Sequence, residues 1–171
     1  MYHEKTGQES PIQTKPRAGT KPARTRRRTP RKEDPVLSNH EHPNALLILQ
    51  CWQAASQGDA ETLQAIWSDD IVWHATSDSP WKGDHVGVYS VLDYLSRVGE
   101  MGELYELTLQ SVLANEDYGL VAFHVNSEMN GQTLSANQIL FGRFTNGRIS
   151  EIWTLALDRE AVEVFWKNAG F

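Results

Sequence analysis

Two histidines on either side of a short loop are the residues of this chain best placed to do chemistry. His74 ends the segment Asp70-Ile-Val-Trp-His74, and His85 follows the loop Ser79-Pro-Trp-Lys-Gly83. A neutral imidazole, with a pKa of about 6.5, accepts a proton readily near neutral pH. We therefore predict His74 as a catalytic general base. The alternative is a histidine that only hydrogen-bonds a ligand or a neighbouring backbone group.

His85 is predicted near the same site, either as a ligand-binding residue at the mouth of a pocket or as an ordinary loop histidine. Together with His74 and either Asp78 or Asp84 it could bind a metal, but no single element carries ligands at metal-binding spacing. We predict no metal and no cofactor. Trp81, within the loop, is predicted either to cover the pocket or simply to pack.

Several other chemistries are excluded because their motifs are absent. The sequence contains no phosphate-binding loop, dinucleotide-binding fingerprint, nucleophile elbow or Cys/His dyad spacing. Cys51 is the single cysteine, which excludes an intramolecular disulfide and a cysteine-based metal site. Any catalysis would then be proton transfer rather than covalent catalysis.

Helices are the first of the elements that position these residues. Gly58 stops the first helix and Asp59 caps the second. The pattern predicts helices over Pro43–Ser56, Ala60–Trp67 and Val86–Val98, with a strand over Ile71–Ala75 between the second and the third.

A run of strands follows. Asn130-Gly131 and Asn146-Gly147 separate successive segments, and Asn-Gly between such segments is typical of a tight hairpin. A short helix begins after Asp158. The predicted strands are Tyr105–Ala114, Gly119–Met129, Thr133–Thr145 and Arg148–Leu157. Three helices with one strand, followed by an antiparallel meander, predict an α+β domain over residues 43–168. Its strongly bent sheet should wrap on the helices and enclose a pocket.

Alternation along the strands separates inward from outward side chains. His124 lies between apolar residues that should face the core, so it is predicted on the outer surface. The same rule turns Gln138 inward, where its amide is a candidate donor to a ligand carbonyl. The other predicted inward, ligand-binding positions on the last two strands are Leu140, Ile152 and Thr154. Ile139, Phe141 and Trp153 are predicted to project from the outer face and to pair with a second copy of the chain.

The first 35 residues differ in kind from the rest. They carry ten Lys and Arg against four acidic residues, a net +6, whereas residues 36–171 carry six against eighteen, a net −12. Five prolines and few apolar residues predict a disordered basic tail. The run Lys21–Lys32 suits weak contact with a polyanion. A solvated linker and an intramolecular contact with the acidic domain remain open.

Compartment is predicted from what the sequence lacks. No stretch approaches the roughly 18 apolar residues of a membrane span, and the N-terminus has no apolar signal-peptide core. We predict a cytoplasmic location and no membrane contact.

Four motifs resemble a known family. These are Gln57-Gly-Asp59, Asp69-Asp-Ile-Val-Trp-His74, Pro80-x-x-Gly83 and Asn146-Gly-Arg-Ile149. Together they resemble the SnoaL-like and ketosteroid isomerase-like branch of the nuclear transport factor 2 superfamily. The resemblance implies a cone-shaped α+β barrel around a hydrophobic pocket, and it implies back-to-back pairing of the outer sheet faces. It does not specify function, because this fold hosts isomerases, cyclases, dehydratases and plain binding modules.

The resemblance to ketosteroid isomerase places three residues at its functional positions. His74 stands where that enzyme has its catalytic aspartate, six positions before the loop proline. Cys51 and Leu140 stand where it has its two oxyanion donors, a tyrosine and a protonated aspartate. In that enzyme the neutral carboxyl group donates a hydrogen bond to the developing oxyanion. The chain keeps a titratable group at the base position only, which argues against steroid isomerisation.

Two functions follow as alternatives. The first is a SnoaL-like pocket protein that binds or transforms a small apolar carbonyl compound by proton transfer, in the manner of an isomerase, cyclase or dehydratase. His74 would move the proton, and Gln138 or water would support the oxyanion. The second is a non-catalytic ligand-binding or dimerisation module with a polyanion-binding tail.

Overall fold

The computed structural model describes residues 37–38, 41–77, 79–100 and 102–171. The predicted basic tail and Asp78 lie outside these ranges. In chain order the elements are β1 (Leu37–Ser38), α1 (Pro43–Gln57), α2 (Ala60–Ile66), β2 (Trp67–Ala75), β3 (Gly83–Val86), α3 (Val88–Gly99), β4 (Leu104–Ala114), β5 (Tyr118–Met129), β6 (Gln132–Thr145), β7 (Arg148–Ala156) and α4 (Arg159–Ala169).

Local signals in the sequence explain most element boundaries. Gly58 ends α1 in the left-handed conformation at φ 67°, and the Asp59 carboxylate accepts a hydrogen bond from the Thr62 backbone N–H at 3.0 Å. The two Asn-Gly pairs turn β5 into β6 and β6 into β7, with positive φ at all four residues. Positive φ at both central positions matches the right-handed twist of the strands, so these hairpins are confirmed.

The strands form one seven-stranded sheet in the order β1-β4-β5-β6-β7-β2-β3. The meander β4 to β7 is antiparallel as predicted, but β2 runs parallel to β7, and β1 runs parallel to β4. The predicted antiparallel meander is therefore confirmed, and the two parallel pairs lie at its edges. The β2–β7 pair is parallel because of the crossover: β2 precedes α3 in the chain yet joins the far edge of the meander.

β3 was not expected. Gly83–Val86 pairs antiparallel with β2, in a segment predicted as loop and helix start. The four residues of β3 are exposed or half-buried, and apolar and polar side chains do not alternate along them. The sequence therefore does not indicate a strand here. Pairing with β2, rather than local propensity, makes this segment extended.

Irregular pairing bends the sheet around the helices. The register shifts between Trp67 and Val72 on β2, between Leu109 and Ser111 on β4, and between Arg143 and Phe144 on β6. At such a shift one strand carries extra residues opposite its partner. These extra residues bend the strand and increase its twist. The open, curved sheet packs its concave face on α1, α3 and α4, which confirms the predicted α+β cone.

Side chains on the two faces of β5 follow the predicted alternation. Val121, Phe123 and Val125 are buried on the concave face. His124 lies on the convex face, where its ring nitrogens contact Asn137 Oδ1 at 2.9 Å and Ser135 Oγ at 3.0 Å. In the part of the chain that the structure describes, no helix has the length and apolar character needed to cross a membrane.

Candidate ligand-binding cavity

A cavity of about 500 Å³ lies between the concave face of the sheet and the helices. Apolar side chains from α1, α3, α4 and all long strands form most of its wall. Five of the six tryptophans of the chain line it, namely Trp52, Trp67, Trp73, Trp81 and Trp166. Cavities of this size and character are typical of small-molecule sites.

No Asp, Glu, His, Lys or Arg among the described residues lines this cavity. Its polar groups are hydroxyls, indole N–H groups, one thiol and one amide. The larger of them come from Cys51 on α1, Tyr94 on α3, Tyr105 on β4, Gln138 on β6 and Thr154 on β7. The cavity is therefore polar in places but carries no formal charge.

The Thr154 hydroxyl is the centre of a polar cluster on the cavity wall. The Trp73 indole N–H donates to Thr154 Oγ1 at 2.9 Å. Burial raises the pKa of Tyr94 to about 12, and a hydrogen bond with the Thr154 side chain partly offsets this rise. The pKa of Tyr105 is also raised, first by burial and then by the neighbouring Tyr94. Both tyrosines are therefore neutral hydrogen-bonding groups at any physiological pH.

Cys51 is a second neutral group on the wall. Burial raises the pKa of its thiol to about 11, and the neighbouring Trp67 side chain only partly offsets the rise. The Trp67 indole nitrogen is fully buried and finds no nitrogen or oxygen acceptor among the described residues. The raised pKa keeps Cys51 as a thiol, the less nucleophilic form of cysteine.

Four residues predicted to face inward do line the cavity. Gln138, Leu140, Ile152 and Thr154 lie on adjacent strands β6 and β7, with Leu140 paired opposite Thr154. Alternation alone was enough to place them, because both strands have one face on the core. Their contact with a ligand remains a prediction.

Trp81 covers one side of the cavity as part of an aromatic cluster. Its ring lies 5.9 Å from that of Trp166 on α4 and 6.2 Å from that of Phe171 at the C-terminus. The loop before β3 therefore meets α4 over the cavity, and Trp81 both lines and covers it.

His74 lies on the opposite face of the sheet, and its predicted place in the pocket is wrong. Its neighbours Trp73 and Ala75 are buried and line the cavity, so alternation turns the His74 side chain outward. There its Nδ1 lies 2.7 Å from Asp84 Oδ1, and its ring stacks on Trp153 at 4.9 Å. An imidazole in this position cannot reach a ligand in the cavity.

His85 does not line the cavity either. Its Nε2–H donates to the Trp81 carbonyl at 2.9 Å, and its ring stacks on Tyr94 at 4.3 Å with 22° between the planes. His85 therefore positions two cavity residues, Trp81 and Tyr94, from behind.

The two tyrosines are the site residues that the sequence analysis did not place. Tyr94 follows Val91 by three residues on α3, and both are buried, so helical spacing was a usable signal. Tyr105 alternates with Leu107 and Leu109 on β4, and Tyr105 and Leu107 both line the cavity. Their proximity to each other depends on the docking of α3 against the sheet, which no local pattern reveals.

The family model described as SnoaL-like domain matches residues 48–152, which is more than half of the chain. The sequence matches no curated protein. The matched span begins inside α1 and ends inside β7, so it contains most of the cavity wall.

Solved structures with the same fold agree with this match. Bal32a, from a soil-derived mobile gene cassette, is 26% identical with a TM-score of 0.66, over 72% of this chain and 95% of that one. A nuclear transport factor 2-like protein from Burkholderia xenovorans LB400 is 19% identical with a TM-score of 0.63, over 72% and 95%. A putative SnoaL-like polyketide cyclase from Jannaschia sp. CCS1 is 12% identical with a TM-score of 0.61, over 75% and 92%. The last two likenesses show the fold alone.

Proposed function

The chain belongs to the SnoaL-like domain family, and we propose that its cavity binds a small, neutral, mainly apolar carbonyl compound without transforming it. One observation carries this proposal: among the described residues, the cavity wall has many aromatic rings and several neutral hydrogen-bonding groups but no charged side chain. Of the two functions that the sequence leaves open, this favours the ligand-binding module.

The neutrality of the ligand follows from the neutrality of the wall. Moving a charged group from water into an apolar environment costs far more than moving a neutral one, unless an opposite charge meets it there. The described wall offers no such charge. Flat aromatic or conjugated ligands fit best, because Trp52, Trp73 and Trp166 present ring surfaces for stacking.

Proton transfer lacks a suitable group in this arrangement. A general base works best with a pKa near the operating pH. Burial instead holds the pKa of Cys51 at about 11 and that of Tyr94 at about 12, so both keep their protons. His74 would be the base in the catalytic alternative, but it lies across the sheet from the cavity.

The proposal is tested with 2-acetylnaphthalene, a neutral bicyclic ketone. Because five tryptophans line the cavity, binding should give saturable quenching of tryptophan fluorescence. Gly142→Phe should abolish it: Gly142 lines the cavity, has no positive φ, and a Cβ built there meets only ordinary contacts, the closest at 3.6 Å. The added ring would therefore occupy ligand space with little backbone strain.

Thr133→Phe is the matched control, because it adds a ring to an exposed position of the same strand. It should leave the quenching unchanged. Equal binding by Gly142→Phe and the wild-type chain would contradict the proposal, as would quenching that never saturates.

We further propose that the convex face of the sheet pairs with a second copy of the chain. Four rings cross neighbouring strands there: His74 stacks on Trp153, Trp153 lies 5.7 Å from Phe141, and Phe141 stacks on Tyr118 at 5.4 Å. Such a continuous ring surface is unusual on a face left in water.

The charges beside these rings favour a second copy as the partner. Arg143 lies over the Trp153 ring at 5.7 Å and pairs with Glu151 at 2.6 Å, and Asp84 beyond His74 is 63% exposed. A two-fold pair needs a surface complementary to itself. Apolar rings flanked by both signs of charge satisfy that need, since Arg143 of one copy can face an acidic residue of the other.

A further inference from the structure

We infer that Thr154 and Tyr94 together supply the hydrogen-bond donor that recognises the carbonyl oxygen of the ligand and selects ketones over hydrocarbons of the same shape. This inference rests on the proposed binding function and assigns its selectivity to two residues. Neither the sequence motifs nor the position of His74 indicates a role in recognising the carbonyl for these two residues.

The cluster holds more protons than it can pair internally. Thr154 Oγ1 already accepts the Trp73 indole proton at 2.9 Å. The remaining protons are the Thr154 and Tyr94 hydroxyl hydrogens, and at most one of them lies between the two oxygens. The other hydroxyl then retains a proton without an acceptor in the cluster. At least one donor is therefore left over, and both residues line the cavity.

The same cluster is held in place from three sides. The Trp73 indole fixes the Thr154 hydroxyl, while the Tyr94 ring lies between His85, stacked at 4.3 Å, and Trp73, at 5.7 Å. A donor held in one position loses little freedom when a ligand binds. Trp73 and His85 are thus positioning residues, and the spare hydroxyl is the group that contacts the ligand.

Burial, nearly complete for Tyr94 and partial for Thr154, makes this donor selective. A hydroxyl shielded from water in this way has no acceptor when a ligand without an oxygen is bound. Sites that hydrogen-bond a ligand group reject analogues that lack it much more strongly than apolar pockets reject small changes in shape. Gln138, diagonal to Thr154 across the β6–β7 pair, can add a second donor.

The inference is tested with two matched probes, 2-acetylnaphthalene and 2-ethylnaphthalene, which differ only by a carbonyl in place of a methylene group. Their dissociation constants are measured by equilibrium dialysis. The wild-type chain should prefer the ketone by at least about 10-fold. Because each single variant leaves one hydroxyl donor, the test uses the double variant Thr154→Val/Tyr94→Phe, which keeps both shapes and removes both hydroxyls. It should remove that preference while changing hydrocarbon affinity less than about two-fold.

Two further variants separate recognition from folding. Thr154→Ser in the Tyr94→Phe background retains one hydroxyl and should restore the preference for the ketone. Thr133→Val makes the same change at an exposed position and should have no effect. Wild-type binding of both probes without a preference would overturn this inference and leave the proposed function intact. Ketone preference retained in the folded double variant would also overturn it. Binding of neither probe would contradict the proposed function itself.

Discussion

The imidazole of His74 stacks on the indole of Trp153, with ring centroids 4.9 Å apart and only 14° between the planes. This contact lies on the convex face of the sheet, whereas Trp73, the preceding residue, donates to Thr154 in the cavity. Two consecutive residues of β2 thus belong to two different surfaces, one facing the ligand and the other facing away from it.

We expect His74→Ala to change the affinity for 2-acetylnaphthalene by less than about two-fold. Trp73→Phe, one position earlier, should weaken it several-fold, because it removes the hydrogen bond that orients Thr154. Fluorescence titration of the two variants provides the comparison. A tenfold loss in a folded His74→Ala protein would place this histidine back at the ligand site.

Alkaline pH should destabilise the domain through its buried acids. The pKa values of Cys51 and Tyr94 rise from 9.0 to about 11 and from 10.0 to about 12 on folding. Their stabilising contribution is therefore complete below about pH 9 and is lost as pH rises toward 12, since the unfolded chain releases these protons first. The melting midpoint should fall over this window.

Substitution identifies the groups responsible for that fall. The melting midpoint of each variant at pH 8 and at pH 11 is expressed relative to the value of the same variant at pH 7. Between pH 8 and pH 11 this midpoint should decrease less in Tyr94→Phe than in the wild-type chain. Tyr89→Phe is the control, because Tyr89 is 80% exposed. An identical alkaline loss in both variants would mean that Tyr94 does not contribute.

Pairing through the convex face should depend on Trp153. Trp153→Glu places a carboxylate among the rings of His74 and Phe141 and should give a monomer in light scattering. Tyr89→Glu makes a comparable change at an exposed position of α3 and should leave the dimer intact. A wild-type chain that is already monomeric at high micromolar concentration would remove the proposal.

The basic tail should not be needed for folding. Residues 1–35 contain few apolar side chains, so their removal takes little apolar surface from the chain. We expect an unchanged melting midpoint at moderate salt by differential scanning calorimetry. A decrease of several degrees would show that the tail packs on the domain.

Local patterns were enough to predict most of the fold. The Asn-Gly pairs predicted two hairpins, and alternation predicted that Gln138 and Thr154 face inward. The parallel β2–β7 pair and the short β3 were missed, because they form through contacts distant in the sequence. No periodicity in a single segment encodes such contacts.

His74 matches the position of the base in the family, but the alternation of its strand turns it away from the cavity. In Ile71-Val-Trp-His-Ala75 the larger apolar set is Ile71, Trp73 and Ala75, which are all buried. The same rule that placed His124 outside would have placed His74 outside as well. The Thr154–Tyr94 cluster, by contrast, joins β7 to α3 and could not be predicted without the fold.

Charge discrimination by the cavity tests the central claim most directly. 2-Acetylnaphthalene and 2-naphthoate share one ring system, but the second is anionic at neutral pH. If the wall is uncharged, the neutral ketone should bind at least about 10-fold more tightly, because no cation in the cavity offsets the dehydration of the carboxylate. Equal or tighter binding of 2-naphthoate to the wild-type chain, competing with the ketone for one site, would contradict this account.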